Sequence, residues 1–482
     1  MASRFGERTR ERTRLLLRRT AALPHWLPHN GQHTTETDAP VPVEDSGHGP
    51  GPMVPDDARV LQVLDLAIRV GEVLLSSGEG VAETTAIMLR VADSSGLPSC
   101  DVDITFTSIT ISCHRGMVAL PVTTMRLVRY RSLDLTRLAE VERLIQQLER
   151  GRCDLTEAAA ELDRITGARH PYPRWVATAA WAAMAASVAL LLGGGWGAAS
   201  VAFVATASMD RAGRLLNRYG LPIFFQQLVG AFLATGITAL VMFTGVLPGT
   251  RPSLVVAAAL TVLLSGLSVV GAARDGIDGF FLTAAGRAAE IAMFSAALLA
   301  GVVLALKGAV HFNVELAVAG PLPISSGSAL LQVFAAGMTA GCFALAGYSP
   351  VRHLPAAAAT GAAGWAIHQL MQQLGLGPVV STGIAAVVLG SGAGLLRRFT
   401  GVPALVISLA GITPLLPGLT AYQGFYQLAV TGVTDGLVTV MLALAIGGAL
   451  AGGVSLGEWV TSRLLLPRDD RVGAAALGSL GK

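Results

Sequence analysis

The chain has 482 residues, of which 52% are hydrophobic and 14% are charged, and its formal net charge at pH 7 is +3. Soluble domains carry roughly 25% charged residues, and the shortage here lies after Arg174, which indicates a polytopic membrane protein with a soluble front part. The small net charge gives no reason to expect a nucleic-acid partner, and neither Lys307 nor Lys482 follows a Gly-x-x-x-x-Gly pattern, which excludes a P-loop ATPase.

The cysteines and histidines show no metal-binding pattern. No two of the four cysteines form a Cys-x-x-Cys pair, so no histidines follow a cysteine pair at the spacing of a zinc finger. We therefore expect no metal and no cofactor, and reduced thiols of the kind found in cytoplasmic domains.

Residues 1–57 have the composition of a tail without stable structure. The first twenty are rich in arginine, and residues 30–57 are rich in Pro, Gly, His and Thr. The run Leu15-Leu16-Leu17 is too short for the core of a signal peptide. The arginines suit either contact with anionic lipid or a plain disordered tail.

Residues 58–167 predict a small α+β domain. Apolar residues at helical spacing predict one helix from Val60 to Leu75 and a second from Val81 to Ala92. Asp154, with Glu157 three residues later, predicts the cap of another helix that stops at the end of the domain.

The strands of this domain are predicted from a change of period. From Ile104 to Cys113 apolar residues alternate, with a phase slip near Ser108 that indicates one strand carrying a β-bulge. Further strands are predicted at 117–122, paired back as a hairpin, and at 127–130. The domain contains no nucleophile and base in a recognisable pattern, so we expect it to do no chemistry.

Ten apolar segments follow, and we predict that each crosses the membrane as a helix. The segments are 175–192, 196–210, 221–247, 252–273, 279–306, 328–348, 354–373, 377–396, 401–430 and 435–460. They divide around the polar loop 307–327 into two membrane halves, 175–306 and 328–460, followed by a tail at 461–482. Halves with an odd number of spans are inverted if they are related.

Positive charge predicts the orientation of these segments. If the soluble domain lies in the cytoplasm, most arginines fall in loops on that side, and the outer loops hold only Arg251 and Lys307. The positive-inside rule then places both termini in the cytoplasm.

A charged element, residues 273–279, separates the fourth segment from the fifth. The uncharged run from Ile291 to Leu306 is too short for a span, so we predict that its helix begins near Gly279, which places Arg287 and Glu290 inside the helix or at its edge. Ionisable groups at membrane depth are costly and point to function. The alternative is an ordinary polar loop whose side chains reach the membrane surface.

We predict that Asp275, Asp278, Arg287 and Glu290 form a coupled charge cluster. Arg274 and Asp278 stand at i, i+4, and Arg287 and Glu290 at i, i+3, so each arginine can meet an acid on its own helix. That pairing leaves Asp275 as the acid expected to titrate most readily.

The ninth segment is interrupted by Gly411-Ile412-Thr413-Pro414-Leu415-Leu416-Pro417-Gly418. Paired interruptions in the fourth and ninth segments point to a transporter's midplane site, because a broken helix exposes N–H and C=O groups for a carboxylate and an ammonium. The alternative is a packing kink at the prolines. The candidate path residues are Thr413, Pro414, Pro417, Gly418, Tyr422 and Gln423.

Several runs together resemble the bacterial threonine/serine exporter family. They are Val63-Leu64-Asp65-Leu66-Ala67-Ile68-Arg69-Val70-Gly71, Leu74-Leu75-Ser76-Ser77-Gly78, Val102-Asp103-Ile104-Thr105-Phe106, Asp275-Gly276-Ile277 with Arg287 and Glu290, Gly411 to Gly418, and Gly457-Glu458-Trp459. The likeness covers about Val60 to Arg463 and lies in the order and spacing of these runs. In some relatives the fourth span carries Pro-Gly, where this chain has Val269-Val270-Gly271.

The resemblance implies a polytopic α-helical protein of the inner membrane with ten spans behind a cytoplasmic α+β domain. It implies export of L-threonine and L-serine driven by the proton motive force, with small amino acids, protons and the lipid bilayer as partners. A homo-oligomer remains open. One alternative is an exporter of a small dicarboxylate such as succinate, which related split-chain members resemble. An alternative of another class is a membrane-anchored hydrolase, and a third is a signalling or scaffold protein with passive spans.

Overall fold

The computed structural model describes residues 56–114, 120–128, 133–246, 251–263, 266–311, 329–400, 404–430, 433–461 and 463. The predictions made for residues 1–55, for most of the loop 307–327 and for the tail beyond 463 lie outside the described residues.

The helices of the soluble part are amphipathic and bury one face each. They are α1 (Asp57–Ser76), α2 (Val81–Ser94), α3 (Leu135–Glu149) and α4 (Leu155–Gly167). The predicted capping box of α4 is confirmed: the Asp154 side chain accepts from the backbone N–H of Glu157, and the Glu157 side chain accepts from the Asp154 amide. In contrast, α2 begins after Gly80 and has no side-chain cap of its own.

A three-stranded antiparallel sheet packs against α1 and α2. Its strands are β1 (Cys100–Thr105), β2 (Ser108–Cys113) and β3 (Val122–Leu127), in the order β1-β2-β3.

The β-bulge predicted near Ser108 is wrong. The chain turns at Phe106 and Thr107, and β1 and β2 pair Thr105 with Ser108 and Ile104 with Ile109. A two-residue turn places an even and an odd position on the same face of the sheet, which produces the observed phase slip.

The third strand lies between the two predicted strands, 117–122 and 127–130, and overlaps each of them only at one end. The structure places it at Val122–Leu127, and residues 115–119 and 129–132 lie outside the described residues. Most of its side chains are exposed. A strand without a buried face has no alternation of apolar residues, so the sequence pattern could not locate it.

Helices occupy all ten apolar segments of the second part of the chain. In chain order they are α5 (Arg174–Leu191), α6 (Trp196–Arg218), α7 (Ile223–Thr244), α8 (Pro252–Leu263), α9 (Gly266–Ile277), α10 (Phe281–His311), α11 (Ala329–Ala346), α12 (Leu354–Gln373), α13 (Pro378–Thr400), α14 (Ala404–Ile412), α15 (Gly418–Val430) and α16 (Val433–Val460).

Within the described residues, six of these helices are long and apolar enough to cross a membrane, namely α5, α7, α10, α11, α13 and α16. The pair α8 and α9 would form a seventh span, bent by 50°. The chain is therefore a polytopic helical membrane protein. The start of α10 at Phe281 confirms the prediction that Arg287 and Glu290 lie inside a helix.

The predicted interruption of the ninth segment is confirmed. Helix α14 ends at Ile412, Thr413–Leu415 form a 3-10 turn, and Leu416 is extended before α15 begins at Gly418. In the fourth segment, α8 and α9 meet at an angle of 50°, well before the charged element, which instead forms the turn from α9 to α10.

Glycines allow α13 and α16 to approach closely. A Cβ added at Gly390 would lie 2.5 Å from the Val454 carbonyl oxygen, and one added at Gly453 would lie 2.7 Å from the Gly383 carbonyl oxygen. Small residues at such crossings are the usual means by which membrane helices associate.

Candidate functional site

A buried ion pair joins two of the predicted site residues. Asp275, near the end of α9, lies 3.0 Å from Arg287 in the first half of α10, measured from Oδ2 to Nε. The Asp275 side chain is fully buried, and that of Arg287 is 8% exposed. Asp275 is therefore not the unpaired acid that the spacing along one helix predicted, because the turn between α9 and α10 returns Arg287 to it.

The backbone around this pair is shaped to admit the arginine. Gly279 has φ of +92°, a left-handed conformation that glycine adopts without strain, and the Phe280 amide donates to the Asp275 carbonyl at 2.7 Å. A side chain at Gly271 would collide with Nη1 of Arg287. Glycine at 271 thus leaves the space through which the guanidinium reaches Asp275.

The second carboxylate oxygen of Asp275 caps a helix of the soluble domain. The Val81 amide, at the start of α2, donates to Oδ1 of Asp275 at 3.1 Å. Because α2 lacks a side-chain cap of its own, this membrane residue serves as its N-cap from 194 positions away. A carboxylate at a helix N-terminus satisfies a free N–H group and interacts favourably with the helix dipole.

A second ion pair lies beside the first. Arg274 of α9 contacts Glu458 of α16 at 3.5 Å, so the charged element is tied to the last helix of the chain. Asp278 is exposed at the end of α9, and its amide donates to the Arg274 carbonyl at 2.9 Å. Glu290 is half-buried one turn after Arg287. The roles of Asp278 and Glu290 stay predictions.

Sequence reasoning missed two acids of this cluster, Glu458 and Glu79. Glu458 stands in the last turn of α16 and follows a long uncharged run that begins after Asp435 in the first turn. A charge at the end of an apolar run is the same kind of signal that identified Arg287. Glu79 is 5% exposed, in the short connection between α1 and α2. Nothing in the local pattern predicts its burial, because the helix that covers it lies far along the chain.

The soluble part contacts the start of α10 at a second point. The Phe106 amide donates to the Thr283 hydroxyl at 3.2 Å, and the Phe106 ring lies against Gly286, where an added Cβ would be 3.0 Å from it. The turn of the β1-β2 hairpin therefore rests on the same helix that carries Arg287.

A further contact involves the other half of the membrane part. The Leu135 amide donates to the Gly347 carbonyl at 2.9 Å, and the Tyr172 hydroxyl donates to the Ser349 carbonyl at 3.0 Å. These carbonyls belong to the connection between α11 and α12. The soluble part thus bridges elements from both membrane halves.

The residues predicted around the interruption of the ninth segment are packed inside the helical bundle. Thr413, Pro417, Gly418 and Tyr422 are buried, and Pro414 and Gln423 are partly buried. The Thr413 hydroxyl donates to the Leu409 carbonyl at 2.8 Å. Within the described part of the chain the Tyr422 hydroxyl has no hydrogen-bond partner, although the residue is only 6% exposed. A buried hydroxyl without a partner is costly, so its presence calls for an explanation such as a functional role or a bound water or ion.

The two interrupted segments meet each other. A Cβ added at Gly266, the first residue of α9, would lie 3.0 Å from Cβ of Leu416 and 3.4 Å from the Gly418 amide nitrogen. The N-termini of α9 and α15 therefore lie side by side. A helix N-terminus presents N–H groups and the positive end of the helix dipole, which together favour an anion.

The crossing and the charge cluster are separate places along α9. Gly266 and Asp275 are nine positions apart, or roughly 14 Å at the rise of an α-helix. The structure therefore brings Asp275 and Arg287 together, and brings α9 to the Leu416–Gly418 break. The charge cluster and the residues around the ninth-segment interruption do not form one pocket.

An apolar helical bundle with two interrupted helices meeting inside it and a buried charge cluster at one end has the architecture of a membrane transporter. Two family models match the chain, both described as threonine/serine exporter models, one over residues 65–308 and the other, ThrE, over residues 332–460. The chain belongs to the threonine/serine exporter family.

Curated relatives match over most of the chain. The "Probable threonine/serine exporter" of Mycobacterium tuberculosis is 38% identical over 437 residues, which cover 88% of this chain and 80% of that protein. The "Threonine/serine exporter" of Corynebacterium glutamicum is 35% identical over 426 residues, which cover 87% of each chain.

A shorter relative matches half of the chain. The "Probable succinate transporter subunit YjjP" of Escherichia coli is 25% identical over 244 residues, which cover 51% of this chain and 93% of that protein. No solved structure matches. Since the family is one of transporters and not of enzymes, the hydrolase alternative is wrong.

Proposed function

We propose that this protein exports L-threonine and L-serine across the cell membrane in exchange for protons. The substrate class rests on the names of the relatives at 35–38% identity. The structural observation that supports transport is the meeting of the two interrupted helices at Gly266 and Leu416–Gly418. Such a crossing exposes backbone N–H groups inside an apolar bundle, where an amino acid can be held between them.

The proposed substrate site lies at this crossing. The substrate carboxylate would accept hydrogen bonds from the N-termini of α9 and α15. The Tyr422 hydroxyl, which has no partner among the described residues, would bind either the carboxylate or the substrate's own hydroxyl. Gln423, partly buried next to it, offers a further polar contact.

The proposed coupling site is the charge cluster around Asp275 and Arg287. A proton on one of its acids would alternate with the substrate, so that the membrane's proton gradient drives export without ATP. Asp278, Glu290 and Glu458 are further acids in or beside this cluster. Since it lies roughly 14 Å along α9 from the crossing, α9 would be the element that couples the two sites.

The proposed topology has ten spans in two inverted halves of five, with both termini in the cytoplasm. Helices fill all ten apolar segments, including the four that are short, more polar or interrupted. The two family models divide the chain at nearly the same place as the two halves, between residues 308 and 332. The soluble part would act as a gate, because its contacts reach both halves.

Transport by the purified protein tests the function directly. We expect vesicles that contain it, loaded with radiolabelled solute, to release threonine and serine when an inward proton gradient is imposed, and to retain succinate. The succinate arm is needed because the YjjP relatives carry that name. Release of succinate without threonine would overturn the assignment in favour of a dicarboxylate exporter.

Cysteine labelling tests the topology. In a variant lacking the four native cysteines, Leu120→Cys places a thiol at a residue that is 83% exposed on the soluble part, and Val246→Cys places one at a residue that is 71% exposed beyond α7. We expect an impermeant reagent to label Val246→Cys on intact cells, and Leu120→Cys only after lysis. The reverse pattern would show that the orientation is inverted.

A further inference from the structure

Glu79 is a buried carboxyl group that belongs to the soluble domain but lies against the membrane helices. It stands between Gly78 and Gly80 in the connection from α1 to α2 and is 5% exposed. The Gly80 amide donates to its Oε1 at 3.3 Å. Burial of a single carboxyl group on a loop is costly unless it is neutralised or paired.

The surroundings of Glu79 are formed by three other elements. On α9, the Arg274 side chain passes Gly80, where an added Cβ would lie 3.5 Å from Cδ and from Nε. On α16, Glu458 holds the same arginine at 3.5 Å. On α2, Glu83 lies one turn after Glu79 and adds a second negative charge from the soluble side.

Charge counting shows that this cluster has too many acids. Glu79, Asp275 and Glu458 face two arginines, Arg274 and Arg287, so the five groups carry a net charge of −1 when all acids are ionised. Glu83 and Asp278 nearby make the excess larger. One bound proton removes the imbalance among the five, and the best place for it is an acid that has no arginine within ion-pair distance.

Glu79 is that acid, since Asp275 and Glu458 each make an ion pair while none is recorded for Glu79 among the described residues. Burial is the main cause that raises the pKa of Glu79 from 4.5 to about 7; the charge of Arg274 opposes it, and Glu83 and Glu458 add to it. The group therefore gains and loses its proton near the pH of the cytoplasm.

We propose that Glu79 is a proton-carrying residue of the exchange, so that the soluble domain supplies part of the coupling machinery. The proposal rests on the function proposed above. The proton arrives through the membrane part, binds the Glu79 carboxylate, and leaves to cytoplasmic water when the loop 78–81 separates from α9. The docked loop favours the protonated carboxyl group, so docking is strongest at low pH and weakens as pH rises from about 4.5 to about 7.

The test compares Glu79→Gln with Asp93→Asn, an exposed carboxyl group at the far end of α2. Efflux of threonine is measured from about one pH unit below to one above neutrality, together with threonine–threonine counterflow, which needs no net proton movement. We expect Glu79→Gln to abolish the pH dependence of efflux and to reduce the rate of gradient-driven efflux by at least about tenfold. The rate of counterflow should stay within about twofold of wild type. Asp93→Asn should match wild type in both assays.

Several outcomes would overturn the proposal. A wild-type pH profile in Glu79→Gln would remove Glu79 from coupling, and an equal loss of efflux and counterflow would indicate a merely structural role. If the Glu79→Gln protein does not insert into the membrane, Glu79→Asp is the deciding variant. Its pH profile of threonine efflux should shift along the pH axis, and an unshifted profile contradicts the proposal. Absence of threonine efflux in the wild-type protein would instead refute the proposed function, so the two failures are distinguishable.

Discussion

Replacing Arg287 with methionine is expected to destabilise the folded protein by about 3–5 kcal/mol, the usual cost of leaving one member of a buried ion pair without its partner. Asp275 would keep the Val81 amide at 3.1 Å but would lose the guanidinium at 3.0 Å. Its fully buried carboxylate would then have to bind a proton or draw water into the junction of α9 and α10.

The double variant Arg287→Met/Asp275→Asn separates the cost of an unpaired charge from the value of the pair. Removing both charges leaves neither member of this pair as a buried ion without its partner, so we expect the double variant to regain much of the stability lost in the single variant. Thermal unfolding of the detergent-purified proteins measures the difference. Transport should remain lost in both variants if the pair takes part in coupling.

Arg126→Met is the matched control for this experiment. Arg126 pairs with Glu72 at 2.6 Å, but the two side chains are 43% and 35% exposed. Exposed pairs contribute roughly 0–1 kcal/mol, so this variant should unfold near the wild-type temperature. Equal effects of Arg287→Met and Arg126→Met would contradict the view that Arg287 neutralises a buried charge.

Gly266→Leu is expected to reduce threonine efflux by at least about tenfold. The new side chain would extend into Leu416 and Gly418, because the Cβ atom alone would lie 3.0 Å from Cβ of Leu416. Overpacking of this kind costs about 1–3 kcal/mol, and about 1.4 kcal/mol corresponds to a factor of ten in binding. The protein should still insert, because the change pushes the two breaks apart without adding a charge.

Gly236→Leu on α7 is the control for this substitution. It places the same side chain on a membrane helix at a glycine around which a Cβ meets nothing within 4 Å. We expect normal expression and efflux from it. If Gly266→Leu also transports at the wild-type rate, the crossing of α9 with the ninth-segment break is a packing feature and the substrate path lies elsewhere.

Features that depend on a few neighbouring residues could be predicted from the sequence. The capping box at Asp154 and Glu157, the start of α10 before Arg287, and the break between Thr413 and Gly418 are all present. Each follows from a local rule: a side chain reaches its own backbone, a span needs a minimum length, and proline cannot continue a helix.

Prediction failed where the relevant partner lay elsewhere in the chain. A bulge and a two-residue turn produce the same change of phase in the apolar pattern at Ser108, and only the pairing of Thr105 with Ser108 distinguishes them. The bounds of strand β3 cannot be predicted from the sequence because its exposed side chains carry no alternating pattern.

Hydropathy and periodicity act over one helix at a time, so they are sufficient to predict an apolar bundle of membrane helices that follows a small α+β domain. Which charges meet depends on how the helices pack. Spacing along a helix offered several acids to Arg274 and Arg287, and the turn at Gly279 and the crossing with α16 selected Asp275 and Glu458. The contact of Val81 with Asp275 and the burial of Glu79 arise only when the soluble domain rests on the membrane helices, because an electrostatic contact depends on distance in space and not on separation in sequence.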